Sequence, residues 1–334
     1  MSDVTISASQ ARRLIAGALE RSRTSAQNAI AVADALVAAE LVGQAGHGLR
    51  RVAAYAGQAQ SGKVDGFAVP IVTATRPAGL AVDAANGFAY PALNSVFEPL
   101  ASAAHTHGIA IAGIRRSHHC GVAGVIVERY AHAGLVALLF ANTPAAMAPW
   151  GGKEAIFGTN PIAFAAPMAD GDPVVVDVSL SKVARGKIMA ASQKQQPIPE
   201  NWAFDAEGRP TTDPDAALGG TMAPLGEAKG LGLALMVEVL AAGLTGANYA
   251  REASSFFDAS GEPPGVGQTI IAIDPEVFGP VSAMQRIGEL SAMIEVMPGA
   301  RLPGRRRQKL RHKGETEGIV TDMALVAQIE AIGR

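Results

Sequence analysis

The sequence predicts an α/β protein, and three observations carry that expectation. Strand-like apolar runs and stretches of helical periodicity alternate along the 334 residues. The chain is 49% hydrophobic, 17% charged and only 5% aromatic, and Ala and Gly supply much of the apolar content. Such a composition suits helices packed closely on a sheet. The motif Gly-x-Gly-x-x-Gly after a strand is missing, which counts against an ordinary Rossmann nucleotide site.

The elements follow in order. Ser9 to Ser22 carries Leu14, Ile15, Ala18 and Leu19 at helical spacing. Ser25 is placed to cap a second helix, whose Ile30, Ala33, Leu36, Val37 and Leu41 form one apolar stripe. After Gly43 the run Gly46-His47-Gly48-Leu49-Arg50-Arg51 leads into a helical stretch, Val52 to Ala59. A helix beginning near His47 puts His47, Arg51 and Tyr55 on one face. That trio suits a small carboxylate, which Arg can hold bidentately; a solvated amphipathic face is the plainer alternative. Ile71 to Thr75 and Leu80 to Val82 read as short strands, and Pro91 to His107 as a helix.

Residues 113 to 167 hold the densest polar clusters. Gly108 to Ile114 reads as a buried strand that delivers Ser117, His118, His119, Cys120 and Gly121 to the start of a helix, Val122 to Ala133. The first-turn amides of such a helix are unpaired and point at an arriving anion. A second strand, Leu135 to Ala141, ends at Asn142 and Thr143. The runs Ala148-Pro-Trp-Gly-Gly-Lys153 and Gly158-Thr-Asn-Pro161 are irregular by composition. A loop with surface histidines is the competing interpretation of this region.

Val174 to Val178 is a strand reaching Asp177 and Ser179, and Ser181 is placed to cap a helix through Lys182, Arg185, Lys187 and Met189. Gln193 to Leu225 is the least regular stretch. Gly226-Glu-Ala-Lys-Gly230 opens a helix that is apolar nearly all round and therefore expected to be buried. Lys229 at its start makes sense facing a bound anion. Ser255 to Phe257 and Thr269 to Ile273 read as strands, and Pro275 to Met293 as a helix. The tail Arg301 to Lys313 holds seven Lys or Arg, a solvated face or a phosphate grip.

Composition also excludes. A formal net charge of −2 gives no reason to expect nucleic acid as the main partner. Cys120 is the single cysteine, so neither a disulfide framework nor a multi-Cys metal site is available, and no metal is expected. The N-terminus has no basic region followed by an apolar run, and no apolar run reaches membrane-spanning length. A cytoplasmic protein without a membrane partner is expected.

Taken together, these clusters resemble the malate/L-lactate dehydrogenase-like family of NAD(P)-dependent oxidoreductases over nearly the whole chain. The resemblance rests on His47-Gly48 with Arg51, His119 with Gly121, Ala148-Pro-Trp-Gly-Gly152, Gly158-Thr-Asn-Pro-Ile-Ala-Phe164, Ala184-Arg-Gly-Lys187 and Lys229-Gly230. It implies a non-Rossmann cofactor domain with a large mixed, mostly antiparallel sheet, and a helical part drawn from both chain ends. The corresponding spans are 1–69 (helical, substrate and dimerisation), 70–280 (NAD(P)-binding) and 281–334 (helical part and basic tail), in a homodimer.

The resemblance further implies His47 as proton donor, with His119 as rival catalytic histidine. Arg51, Tyr55 and Thr159 would contact a small carboxylate substrate. NADPH or NADH would lie against His119, Cys120, Gly121, Val122, Ala123, Asp177, Val178, Ser179, Ala228, Lys229, Arg301, Gly304, Arg305, Arg306 and Arg307. NADPH is favoured, because arginines after the Pro303-Gly304 turn suit a 2′-phosphate. Three positions depart from relatives: Gly46 where many have Ser, Lys187 where some imine reductases have an acid, and Ala228 where many have His. Without a Ser-His-acid relay, the expected activity is reduction of Δ1-pyrroline-2-carboxylate or Δ1-piperideine-2-carboxylate to proline or pipecolate, since an iminium needs less help from a base. The alternative is a 2-hydroxy-acid dehydrogenase of malate, lactate or ureidoglycolate type. A catalytically silent nucleotide-binding relative is a third possibility.

Overall fold

The computed structural model describes residues 3–279 and 281–334. Its two chain ends meet: β1 (Asp3–Ile6) pairs antiparallel with a strand near the C-terminus, Asp3 opposite Asp322. Helix α1 (Ala8–Glu20) starts at a capping box in which Ser7 accepts from Gln10 N and the Gln10 side chain accepts from Ser7 N. Ser25 caps α2 (Ala26–Leu41) as the sequence suggests, and Ala29, Val32, Ala33, Leu36 and Val37 bury its inner face. Helix α3 (Val52–Ser61) follows and ends at the left-handed Gly62.

A hairpin, β2 (Ile71–Arg76) and β3 (Gly79–Asp83), precedes the long α4 (Ala89–His107). The chain then runs through β4 (Ile109–Ser117), α5 (Ala123–His132), β5 (Val136–Ala141), β6 (Ile162–Ala166) and β7 (Val174–Val178). A more open segment holds α6 (Arg185–Gln193), β8 (Ala203–Phe204), α7 (Pro214–Gly219) and β9 (Thr221–Met222). Helix α8 (Ala228–Glu238) passes into a π turn, and β10 (Val266–Ile273) returns to the sheet. The chain closes with α9 (Ala283–Glu295), α10 (Arg305–Glu317), β11 (Ile319–Asp322) and α11 (Met323–Ala331).

The central sheet has seven strands in the order β2-β3-β4-β10-β5-β6-β7. Only the β3–β4 pair is parallel, so the sheet is mixed and mostly antiparallel, as the resemblance implies. Side-chain alternation splits its interior strands between two cores. Ala137, Leu139, Ala163, Ala165 and Ile270 pack with α4 and α5. Leu138, Phe140 and Ile271 face α8 and its π turn.

Several expected elements differ. Ser255 to Phe257 lies in a run of turns and bends, because both of its phenylalanines are spent on side-chain contacts rather than on a ladder. Ser181 caps nothing: its hydroxyl donates to Val183 O and meets Ser179 Oγ, and α6 begins later with Ala184 at the cap. Pro275 to Phe278 is a separate 3₁₀ turn, capped by Asp274, ahead of α9. Helix α8 is buried on one face only, with Leu233, Leu235 and Met236 exposed, as is Val239 in the π turn that follows. Two 3₁₀ turns, Ala45–His47 and Leu49–Arg51, stand where a helix was expected to begin at His47. The basic tail is mostly helix α10, begun at Gly304. Among the described residues no helix is long and apolar enough to cross a membrane, and no His/Cys/Asp/Glu group could hold a metal.

Candidate active site

The turn carrying His47 is seated on Glu40 of α2, whose carboxylate accepts from Leu49 N at 2.7 Å. A Cβ at Gly48 would meet that carboxylate, so any larger residue there displaces Glu40 from the Leu49 amide. His47 then meets His119, which the end of β4 delivers: Nδ1 of His47 lies 3.2 Å from Nε2 of His119, with the rings stacked 5.0 Å apart. His119 Nδ1 is 2.7 Å from the Tyr55 hydroxyl, which is 3.2 Å from the Tyr90 hydroxyl. A continuous hydrogen-bonded line therefore runs from half-buried His47 to Tyr90 in the core.

Burial sets the charge states along this line. It lowers the His47 pKa to about 4, reinforced by Arg51, and holds His119 well below the ordinary imidazole value for the same two reasons. Both rings are neutral at physiological pH. Burial also pushes the Tyr55 phenol up to about 12 and Tyr90 well above its usual value, so both keep their protons. Cys120, likewise raised to about 12 by burial, stays a thiol and offers no nucleophile.

Arg51 sits beside the pair. Its Nε donates to Gly46 O at 2.8 Å and its guanidinium lies 4.5 Å over the ring of Phe257. Its Nη1 is buried without a hydrogen-bond partner. An unpaired guanidinium nitrogen is costly, and a small carboxylate satisfies it. On this geometry Arg51→Lys should raise KM by roughly tenfold to a hundredfold with a smaller change in kcat, since an ammonium cannot reproduce the fork. Steady-state kinetics check this, and an unchanged KM removes Arg51 from substrate binding.

A second cluster lies at the start of α5. Asp177, from β7, accepts from Gly124 N at 2.9 Å and from Arg307 Nη2 at 2.9 Å. A Cβ at Gly124 would collide with Arg307 Nη1 at 2.0 Å. That Nη1 too is buried without a partner. Asp177 and Arg307 both act electrostatically on His47, so the clusters belong to one locality. Val122 offers no side-chain cap of its own, and Asp177 takes one first-turn amide of α5, that of Gly124. The amides left over at that helix start, beside an arginine with an open donor, fit a phosphate of a dinucleotide.

The remaining candidates fall around these two. Thr159 faces Thr143, its N–H donating to Thr143 Oγ1 at 2.9 Å, and Ser179 Oγ donates to Thr159 O, which links Asp177, Val178 and Ser179 to that strand end. Ala228 and Lys229 open α8 and are exposed. Arg301 and Arg306 are exposed, and Arg305 is paired with Glu295 at 2.6 Å. Gly46 has open space around it, and the Lys187 ammonium lies 6.0 Å from the Trp202 ring. Tyr90, Phe256, Phe257 and Glu40 were not singled out from sequence. Their signals, a Tyr at a helix start and a Phe-Phe pair in a polar loop, do not stand out without the fold.

A family model described as malate/L-lactate dehydrogenase matches residues 6–330. A (2R)-3-sulfolactate dehydrogenase (NADP(+)) of Chromohalobacter salexigens is 48% identical over 98% of this chain and 97% of its own length. A Δ1-pyrroline-2-carboxylate/Δ1-piperideine-2-carboxylate reductase of Pseudomonas putida is 42% identical over 86% of this chain and 85% of its own. Among solved structures, the Δ1-piperideine-2-carboxylate reductase of Pseudomonas syringae pvar. tomato superposes with a TM-score of 0.94 at 37% identity, covering 98% of this chain and 99% of that one.

Proposed function

This chain belongs to the malate/L-lactate dehydrogenase family, and from that premise we propose that it interconverts a small 2-oxo carboxylate and its 2-hydroxy acid with NADP(H). The observation that carries the proposal is the unpaired Nη1 of Arg51 next to two neutral histidines that share a proton line. When bound, the nicotinamide supplies or accepts the hydride at the substrate carbon. Arg51 holds the carboxylate. His47, with Nδ1 engaged by His119, has Nε2 left for the substrate oxygen.

In reduction, Nε2–H of His47 gives its proton to the oxygen as hydride reaches the carbon. Nδ1 keeps accepting from Nε2–H of His119, whose Nδ1 accepts from Tyr55, so the line fixes the tautomer while both phenols keep their protons, and water at half-buried His47 restores the proton given up. In oxidation every transfer reverses, and the neutral His47 is already in the state a base requires. The role of Tyr55 is to hold His119 in register, since its buried hydroxyl is committed to His119 and Tyr90.

Two observations favour the hydroxy acid over the imine. The expectation of an imine rested on a missing relay, and the line through His119, Tyr55 and Tyr90 offers a different one. The 48% identical relative is a dehydrogenase of a hydroxy acid. A second reading, reduction of a cyclic imine carboxylate, is favoured by the Pseudomonas relatives and by the aromatic rings of Phe256 and Phe257 around the histidines and Arg51. The deciding experiment follows NADPH absorbance with 3-sulfopyruvate, oxaloacetate, pyruvate and the two cyclic imine carboxylates. Turnover confined to the imines selects the second reading, and no turnover of any compound removes both.

For the cofactor, we propose that the arginines after Gly304 read the 2′-phosphate. An Arg305/Arg306→Ala variant, which leaves Arg307 on Asp177, should lose about tenfold or more in kcat/KM for NADPH and little for NADH, because charge-assisted hydrogen bonds are lost. An unaltered cofactor preference refutes this. We further propose a homodimer, supported by the exposed apolar face of α8 and by α9, which buries only Ser291 in the single chain. Light scattering should give about twice the 34.2 kDa chain mass, and a monomer excludes it.

A further inference from the structure

Residues 253–260 form turns and bends with no regular structure, yet they are held by two buried donors, one on α3 and one just past its end. The Lys63 side chain is 1% exposed, and Nζ donates to Ser255 O at 2.7 Å, to Asp258 O at 3.1 Å and to Asp258 Oδ1 at 3.3 Å. Gln58, fully buried on α3, donates from Nε2 to Asp258 O at 2.9 Å. Ser254 Oγ, donating to Glu262 O at 2.6 Å, ties the loop to itself. The exposed carboxylate of Asp258 makes the ion pair alone a weak reason to bury an ammonium. The consequence of the anchoring lies at the other end of the same helix. Phe257 stacks on Arg51 at 4.5 Å, and Phe256 packs 5.2 Å from His119.

We propose that Lys63 is a positioning residue that fixes the 255–258 loop, so that Phe257 holds the Arg51 guanidinium in the plane that meets the substrate carboxylate. The loop thereby sets substrate affinity. This rests on the proposed role of Arg51. The guanidinium has one anchoring hydrogen bond, at Nε, and otherwise depends on the stacked ring for its orientation. Phe257→Ala removes that ring alone, whereas release of the loop also frees Phe256 from His119, so the effect on Arg51 is read in KM.

The test combines kinetics, binding and hydrogen exchange on the full-length protein. Phe257→Ala should raise KM about tenfold with kcat within about twofold, the size expected for loss of a partly desolvated cation–π contact. Lys63→Met should raise KM by a similar factor, leave the dissociation constant for NADPH unchanged and speed amide exchange across 253–262. The double variant should be no worse than either single one, because both act through one contact. Lys63→Gln, which keeps one donor for Ser255 O, should fall between and serves if Lys63→Met does not fold. Faster loop exchange with unchanged KM, unchanged exchange, or additive effects in the double variant each overturn the proposal. The same comparison read as the dissociation constant for oxamate, a non-reacting carboxylate, needs no turnover. It therefore separates failure of the positioning role from failure of the oxidoreductase reading.

Discussion

His47→Ala should lose about two to four orders of magnitude in kcat, the usual cost of removing a general acid or base, while the dissociation constant for NADPH stays near that of the parent. His47 is the outermost member of the line, half-buried where His119 is enclosed, and its Nδ1 is taken by His119. The nitrogen that remains is the one a substrate oxygen can meet. Tyr55→Phe deletes only a hydroxyl deeper in the line and should cost less in rate. Its signature is a changed pH profile of kcat, because His119 loses the partner at Nδ1. Stopped-flow single-turnover rates distinguish the cases. Should His119→Ala abolish hydride transfer while His47→Ala preserves it, the two histidines have exchanged roles. Retention of activity in both removes the line from the mechanism.

Sequence patterns reached the elements that repeat and the motifs that cluster. Ser25 was legible as a cap because capping is local, and β4, β5 and β7 because apolar runs in a sheet of this kind are short and uninterrupted. The Gly158–Pro161 run was legible as special but not for its reason. Asn160, at φ 37°, uses its side-chain amide to reach Ala234 O and the buried Glu238 carboxylate, which also accepts from Asn142 and Ala250 N. That clamp joins residues 142, 160, 238 and 250, and no short window contains it. The proton line was illegible on the same grounds: His47, Tyr55, Tyr90 and His119 come from four separate stretches, and only folding gives Tyr90 a partner. Residues 255–257 misled because aromatic side chains have the same composition in a strand and in a loop that packs against a site. The exposed face of α8 misled differently: an all-apolar sequence predicts burial all round, and this chain covers only one face of the helix.

Acid should unfold this protein from the active site outward, and His118 is the group that makes the effect largest. Its ring is 1% exposed and neither nitrogen has a hydrogen-bond partner. Tyr55, Phe88 and Phe256 surround it with ring centroids 5.3, 5.8 and 5.1 Å away. Burial lowers its pKa from 6.5 to about 3, and Arg51 and Lys63 add to the shift. A folded-state value below the unfolded one means that the unfolded chain binds the extra proton. Stability is therefore complete above about pH 6.5 and falls as pH drops through the window toward 3. At pH 5 His118 alone should remove about 2 kcal/mol relative to neutral pH, from 1.5 pH units at about 1.4 kcal/mol each. His47 and His119 shift in the same direction and add to the loss. The half-buried Glu40 and the buried Glu238, both raised by burial, work the opposite way near pH 5, but equally in parent and variant, and so cancel in a difference. Urea unfolding at pH 7 and pH 5 should show His118→Gln losing about 2 kcal/mol less than the parent over that interval. Equal losses would mean that His118 is protonated, or reaches water, in the folded protein, and the dry aromatic enclosure behind the catalytic pair would not hold.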